Sequence, residues 1–162
     1  MIVSCLCHNK YHDLTHHVLP LASNNSEAIK LPPPLTKHNM YLKELRTYDG
    51  KDQEGRVCVA ILGKVYDVTK GRRFYGPDGP YCTFPGRDAT RALANFDVNA
   101  VKDEWDDHSG LNPSQMSSVQ EWEMQFSERY DFVGKLVPDG QPLEDDEEEE
   151  ENKAAASAEN QD

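Results

Sequence analysis

The chain has 162 residues, with 29 acidic side chains against 17 basic ones and a formal net charge of −12. Ten of the acids fall in the last 19 residues against one base, so the first 143 residues are close to neutral; a polyphosphate backbone, which selects an excess of Lys and Arg, is excluded as a partner. The length suits one ordinary domain and not two, no run of 18 apolar residues provides a spanning helix, and four cysteines are too few for a disulfide framework.

In chain order, residues 1–38 read as a disordered arm. Asn24-Asn25-Ser26 breaks any periodicity, and Pro32-Pro33-Pro34 makes an extended linker. Cys5, Cys7, His8, His12, His16 and His17 are zinc-type ligands, but their spacing matches no usual structural site. The foldable unit is 39–137. Asn39 is expected to cap a short helix from Met40 to Tyr48, with Leu42 and Leu45 on one face. Val57 to Leu62 and Val65 to Val68 flank Gly63-Lys64 and read as a β-hairpin. A helix is expected to open at Gly86-Arg87-Asp88 and run to about Asn95, with Ala89, Ala92, Leu93 and Phe96 on one stripe and Asp88 near its positive end. Asn112 followed by Pro113 starts a long helix. Its stripe, Met116, Val119, Trp122, Phe126, Tyr130 and Val133, has the spacing of an amphipathic helix on a core. Asp103, Glu104, Asp106 and Asp107 read as a solvated helix edge. From Pro138 the chain turns into a disordered acidic tail, 138–162, because eight consecutive like charges bury nothing that offsets ordering entropy. Helices around a small sheet make the fold class α+β.

Between the hairpin and the second helix, Gly76, Pro77, Gly79 and Pro80 are flanked by Phe74, Tyr75, Tyr81 and Phe84. Rigid turns carrying aromatics can wall an apolar pocket with phenols as its polar handles; on residue type alone the favoured reading is a structural loop plugging the core. No P-loop, dinucleotide fingerprint or nucleophile–base pair is present, so no catalytic residue is assigned and the chain is expected not to be an enzyme.

Ala60 to Thr69 resembles the first hairpin of the cytochrome b5-like haem/steroid-binding domain. Lys70 to Tyr81, Gly86 to Ala94, Lys102 to Asp107, Glu121 to Phe126 and Tyr130 to Lys135 are similar to its membrane-associated progesterone receptor branch. The resemblance covers roughly residues 35–140. It implies haem b as cofactor, with Tyr81 as the axial ligand of the iron, Tyr75 lining the same pocket, and Arg129 and Tyr130 where that branch carries a Lys-Tyr pair that helps hold haem. Cytochrome b5 proper uses two histidines, one from a His-Pro-Gly-Gly loop that this chain lacks. A phenolate stabilises Fe(III), so a five-coordinate ferric haem of low potential is expected. Cys82 and Pro85 stand where glycine and alanine are usual.

The implied function is a haem- and steroid- or lipid-binding regulatory module that modulates, or supplies haem to, membrane haem-thiolate monooxygenases and sterol metabolism. Steroid or sterol ligands and a haem-dependent homodimer come with it. The alternatives are a cytochrome b5-type electron carrier and a haem-free adaptor on the same fold. By resemblance the location is the endoplasmic reticulum membrane, cytosolic face; with no transmembrane run in the sequence, a soluble cytoplasmic form is the alternative.

Overall fold

A computed structural model describes residues 31–143. The Cys/His cluster between Cys5 and His17 and the acidic run from Glu144 lie outside the described residues. Four strands, β1 (Met40–Tyr41), β2 (Cys58–Ile61), β3 (Lys64–Asp67) and β4 (Asp131–Val137), form one mixed sheet in the order β1-β4-β3-β2. The helices are α1 (Leu42–Leu45), α2 (Arg72–Tyr75), entered through a 3₁₀ turn at Thr69–Gly71, α3 (Thr90–Asn95) and α4 (Pro113–Arg129). The α+β class holds.

The strands sort their side chains by the two-residue pleat. Val59, Ile61, Tyr66 and Val68 face a large core shared with α3 and α4, whereas Cys58, Ala60 and Val65 face a smaller one with Met40, Leu42 and Leu45. Hairpin register follows from the turn. Leu62 and Gly63 both take positive φ, 50° and 74°, as a two-residue turn matched to strand twist demands. The turn therefore lies one residue earlier than Gly63-Lys64, and Lys64 pairs with Ile61.

The helix expectations are corrected at three elements. Met40 and Tyr41 pair in parallel with Leu136 and Val137, so the first helix shrinks to Leu42–Leu45. Asn39 caps nothing there; its Oδ1 accepts from the Lys135 amide at 2.7 Å. The long helix stops at Arg129, and Val133 belongs to β4, which runs antiparallel to β3 with a bulge between the pairs Val65–Gly134 and Tyr66–Phe132. Phe96 leaves the stripe of α3: it occupies the left-handed cap position, φ 52°, and is 44% exposed.

Contacts also reach upstream of residue 39. Leu35 packs on the smaller core, the His38 amide donates to the Val133 carbonyl at 2.9 Å, and the buried Arg56 guanidinium joins Asp67 (2.7 Å) to the Pro33 carbonyl. On the opposite face, Glu123 ties α4 to the hairpin by accepting from Tyr66 Oη and from Lys64 Nζ at 2.9 Å. These links fix where α4 presents Trp122 and Phe126.

Candidate functional site

The loop after α2 is built by close backbone approach. At Gly79 a Cβ would stand 2.2 Å from the Phe74 carbonyl oxygen, and at Gly76 2.5 Å from that of Arg72, so only glycine lets the chain fold back over the helix it has just left. The Gly79 amide donates to the Gly76 carbonyl and the Tyr81 amide to the Phe74 carbonyl, both at 2.9 Å. The result sets Tyr81 beside Tyr75, ring centroids 5.8 Å apart at 31°.

Those two rings open an apolar cleft. Tyr75, Tyr81 and Phe84 form one wall and Leu93, Trp122 and Phe126 the other, and the cleft is partly open to solvent. The walls stand so close that no water fits between them. Aromatic contacts run on from Tyr81 to Phe84 (5.4 Å) and from Tyr75 to Phe126 (6.0 Å) and Tyr130 (6.1 Å, edge-on). Such offset and edge-to-face pairs add to what burial alone contributes.

The phenols differ in their surroundings. Tyr75 is fully buried, and burial pushes its hydroxyl well up; its hydrogen bond to the neighbouring Tyr130 phenol adds to the rise, and Arg129 opposes it. Tyr130 is also raised by burial, with the bond from Tyr75 and the charges of Arg129 and Arg73 working the other way. Tyr81 is raised by burial alone, and its hydroxyl makes no hydrogen bond to any described residue. All three are neutral phenols at neutral pH.

Of the four residues singled out from the sequence, Tyr75 and Tyr81 line the cleft, whereas Tyr130, edge-on to Tyr75, and Arg129, whose charge acts on both of those phenols, are not among its lining residues. Tyr75 and Tyr81 come from α2 and its loop, Arg129 and Tyr130 from the end of α4. Tyr130 fits there because Gly71 offers no side chain: a Cβ at Gly71 would lie 2.5 Å from Tyr130 Oη and 3.1 Å from the Tyr75 ring. Asp88 is not in the cleft. It is buried at the edge of β2, where it accepts from the Thr90 amide (2.9 Å) and hydroxyl (2.5 Å) and pairs with His108 (2.8 Å). The acids at 103–107 form no helix edge. They sit on the irregular connection from α3 to α4, where Asp103, Glu104 and Asp107 are exposed and Asp106 is buried in a two-pronged pair with Arg91. Leu93, Trp122 and Gly71 went unassigned as site residues, because helical spacing marks Leu93 and Trp122 only as core.

The described histidines do not reach the cleft: His38 bonds the Thr36 carbonyl and Glu44, and His108 bonds Asp88. The donor set that faces it is phenolic, with guanidinium charge behind Tyr130. A tyrosine becomes a hard anionic ligand suited to ferric haem iron only by giving up its proton to the metal, a loss that burial of Tyr81 opposes, and the apolar walls suit a flat hydrophobic ligand. The residues present therefore fit a haem, or a steroid, provided the walls part to admit it.

Residues 41–136 match the model of the cytochrome b5-like haem/steroid-binding domain. The chain is 52% identical over 124 residues to membrane-associated progesterone receptor component 2 of Rattus norvegicus, covering 75% of this chain and 56% of the relative. Against membrane steroid-binding protein 1 of Oryza sativa subsp. japonica it is 46% identical over 121 residues, 72% of this chain and 52% of the relative. It thus spans about half the length of the curated relatives it matches. Among solved structures, a hypothetical protein from Arabidopsis thaliana with a cytochrome b5-like fold superposes with a TM-score of 0.55 at 35% identity, covering 62% of this chain and 92% of the other. With the family model matching more than half of its length, the chain belongs to the cytochrome b5-like haem/steroid-binding domain family.

Proposed function

We propose that the domain is a non-enzymatic binding module for haem b and for steroid or sterol ligands, with Tyr81 as axial ligand to ferric iron. The observation that carries this reading is the Tyr81 hydroxyl, held at an aromatic cleft with no competing hydrogen bond to a described residue. When bound, haem would supply a ferric centre of low potential, since an anionic oxygen ligand favours Fe(III). Tyr75 would hold Tyr130 through its hydrogen bond, and Arg129 would face a haem propionate. Arginine offers a fork that lysine lacks, so the contact would be more directional than a lysine's.

The wider role is part of the same proposal. Two relatives are named as membrane-associated or membrane steroid-binding proteins. Among the described residues no helix is long and apolar enough to cross a membrane. We place the module at the cytosolic face of the endoplasmic reticulum membrane, modulating or supplying haem to haem-thiolate monooxygenases, with a homodimer formed on haem binding. The absence of a histidine at the cleft among the described residues speaks for this role over a cytochrome b5-type shuttle.

The test is a haemin titration of the protein beside its Tyr81→Phe variant. The expected result is a five-coordinate ferric tyrosinate spectrum in the native protein that is lost in the variant. Equal affinity and an unchanged Soret band in Tyr81→Phe would remove Tyr81 as ligand. A reversible mid-range potential with a six-coordinate reduced spectrum would replace the module by the electron carrier.

A further inference from the structure

The connection from α3 to α4, residues 96–112, is tied to the segment carrying Tyr81 and Phe84 by four side-chain links. Thr83 Oγ1 donates to the Val98 carbonyl (2.5 Å), Arg87 Nε to Asp103 (2.9 Å), Arg91 to both oxygens of Asp106 (2.6 and 2.7 Å), and His108 Nε2 meets Asp88 Oδ2 at 2.8 Å. The first two reach the cleft wall directly, and Asp88, the partner of His108, follows Arg87 in the chain. Arg87 also donates to the Thr83 carbonyl, the Arg87 amide to the Phe84 carbonyl, and the Phe84 amide to the Tyr81 carbonyl. Val98, Val101 and Leu111 of the connection pack on the same core as Tyr81.

Only one of the four links changes charge near neutrality. Arginine stays charged throughout, the threonine link is neutral, and Arg91 holds the Asp106 carboxyl far below the usual carboxylate range. His108 is left. Its side chain is 16% exposed and that of Asp88 8%, and its backbone sits in the left-handed region, φ 60°, with its amide donating to Asp106. The charged groups that face it are Asp88 from the edge of β2, Asp106 from its own connection and Arg91 from α3.

We infer that His108 is a pH-sensitive positioning residue for the turn that carries Tyr81: protonated, it clamps the α3–α4 connection against Asp88, and neutral, it lets that wall of the cleft loosen. The direction follows from the pairing. The hydrogen bond and charge of Asp88 raise the folded histidine above its ordinary value, against the opposing effect of burial. The clamp is therefore complete below the ordinary histidine range and weakens as pH rises through the folded value. Because no water fits between the cleft walls as they stand, any ligand enters by parting them, and the Tyr81–Phe84 side is the one whose tether titrates.

The proposal rests on the haem reading only in its ligand arm, and the test separates the two. Amide exchange at Tyr81, Phe84 and Arg87 is followed in the ligand-free protein, His108→Gln and His108→Arg, from about pH 5.5 to about pH 8.5, a range that brackets ordinary histidine titration. The native protein should match His108→Arg at the acid end and lose protection severalfold relative to it at the alkaline end, with His108→Gln low throughout. Parallel pH dependence in all three proteins overturns the proposal; should the Arg variant fail to fold, parallel behaviour of the native and Gln proteins does so. Haemin association rates are measured on the same samples, where the native rate should rise towards that of His108→Gln as pH increases. Equal rates beside unequal protection overturn the link to the cleft. If haemin binds none of the three, the haem reading fails while the exchange result still decides the clamp.

Discussion

At the scale of single residues, Gly71 shows how little a sequence says about a close approach. It lies three residues past Val68 of the hairpin with nothing in the sequence to mark it, yet its hydrogen atom is all that separates the backbone from Tyr130 Oη. Its φ is negative, −97°, so alanine is not refused by the backbone itself, only by the two rings above it. Gly71→Ala should cost about 1–3 kcal/mol, the usual range for overpacking, and should displace Tyr130 from Tyr75. Removing the hydroxyl that the new methyl meets gives the matching half of a cycle. The double variant Gly71→Ala/Tyr130→Phe should recover part of the loss, and urea unfolding of the four proteins measures the coupling. Additive losses would mean that the backbone moves and not the ring. For Tyr75 and Tyr81, glycines and prolines packed among aromatics announce a constrained loop before its geometry is known, but their place at a ligand pocket was implied only by the family resemblance.

At the scale of elements, the two ends of α4 explain why one boundary was readable and the other was not. Its start is local. Asn112 accepts from the Gln115 amide and the Gln115 side chain accepts from the Asn112 amide, each at 2.9 Å, with Pro113 at the first helical position. Asn112→Ala should therefore destabilise the protein by about 1 kcal/mol, read as a shift of the urea midpoint at constant slope. Gln115→Ala in that background should add less than it costs alone, because each half of the box holds the other. Gln115 also donates to Asn95 at 2.7 Å, so its substitution reaches the end of α3.

The far end of α4 is decided by partners distant in sequence. Tyr130 and Val133 continue the helical spacing, but the amides and carbonyls from Asp131 onward find β3 on one side and β1 on the other. Gly134 makes that possible, since a Cβ there would stand 1.8 Å from the His38 carbonyl oxygen. β1 is only two residues long and carries no pattern of its own; its pairing is visible only once β4 is in place. The hairpin needed no such help, its strands and turn lying within ten residues of one another. Likewise the apolar stripe of α4 was legible as far as Phe126, but which of its residues face the cleft depends on Leu93 and Phe84 meeting them across the core.

At the scale of the whole molecule, the ionic links set opposite limits on stability. Asp106 is held low first by its hydrogen bonds from Arg91, and Glu123 is held low by Tyr66 and Lys64 although burial alone would raise it. Carboxylates depressed in the fold contribute stability that is complete above their ordinary range and is lost as pH falls through the folded values. His108, raised in the fold, contributes stability that is complete below its ordinary range and is lost as pH rises through the folded value. Both contributions are whole only in between, from about pH 5 to about pH 6 on ordinary side-chain values. Thermal unfolding should thus be highest in mildly acidic buffer. His108→Gln should flatten the alkaline limb alone, and Asp106→Asn, which leaves Arg91 without its anion, should lower the whole curve and flatten the acid limb. A second source of the alkaline limb is the chain's net charge, which reaches −12 with its six histidines neutral, so that self-repulsion grows as they lose their protons. Salt separates the two. Repulsion among exposed charges is screened over about 8 Å at physiological ionic strength, whereas a pair as buried as His108 and Asp88 is screened far less. An alkaline limb that persists in high salt and disappears in His108→Gln assigns it to the clamp; one that salt removes in both proteins assigns it to net charge.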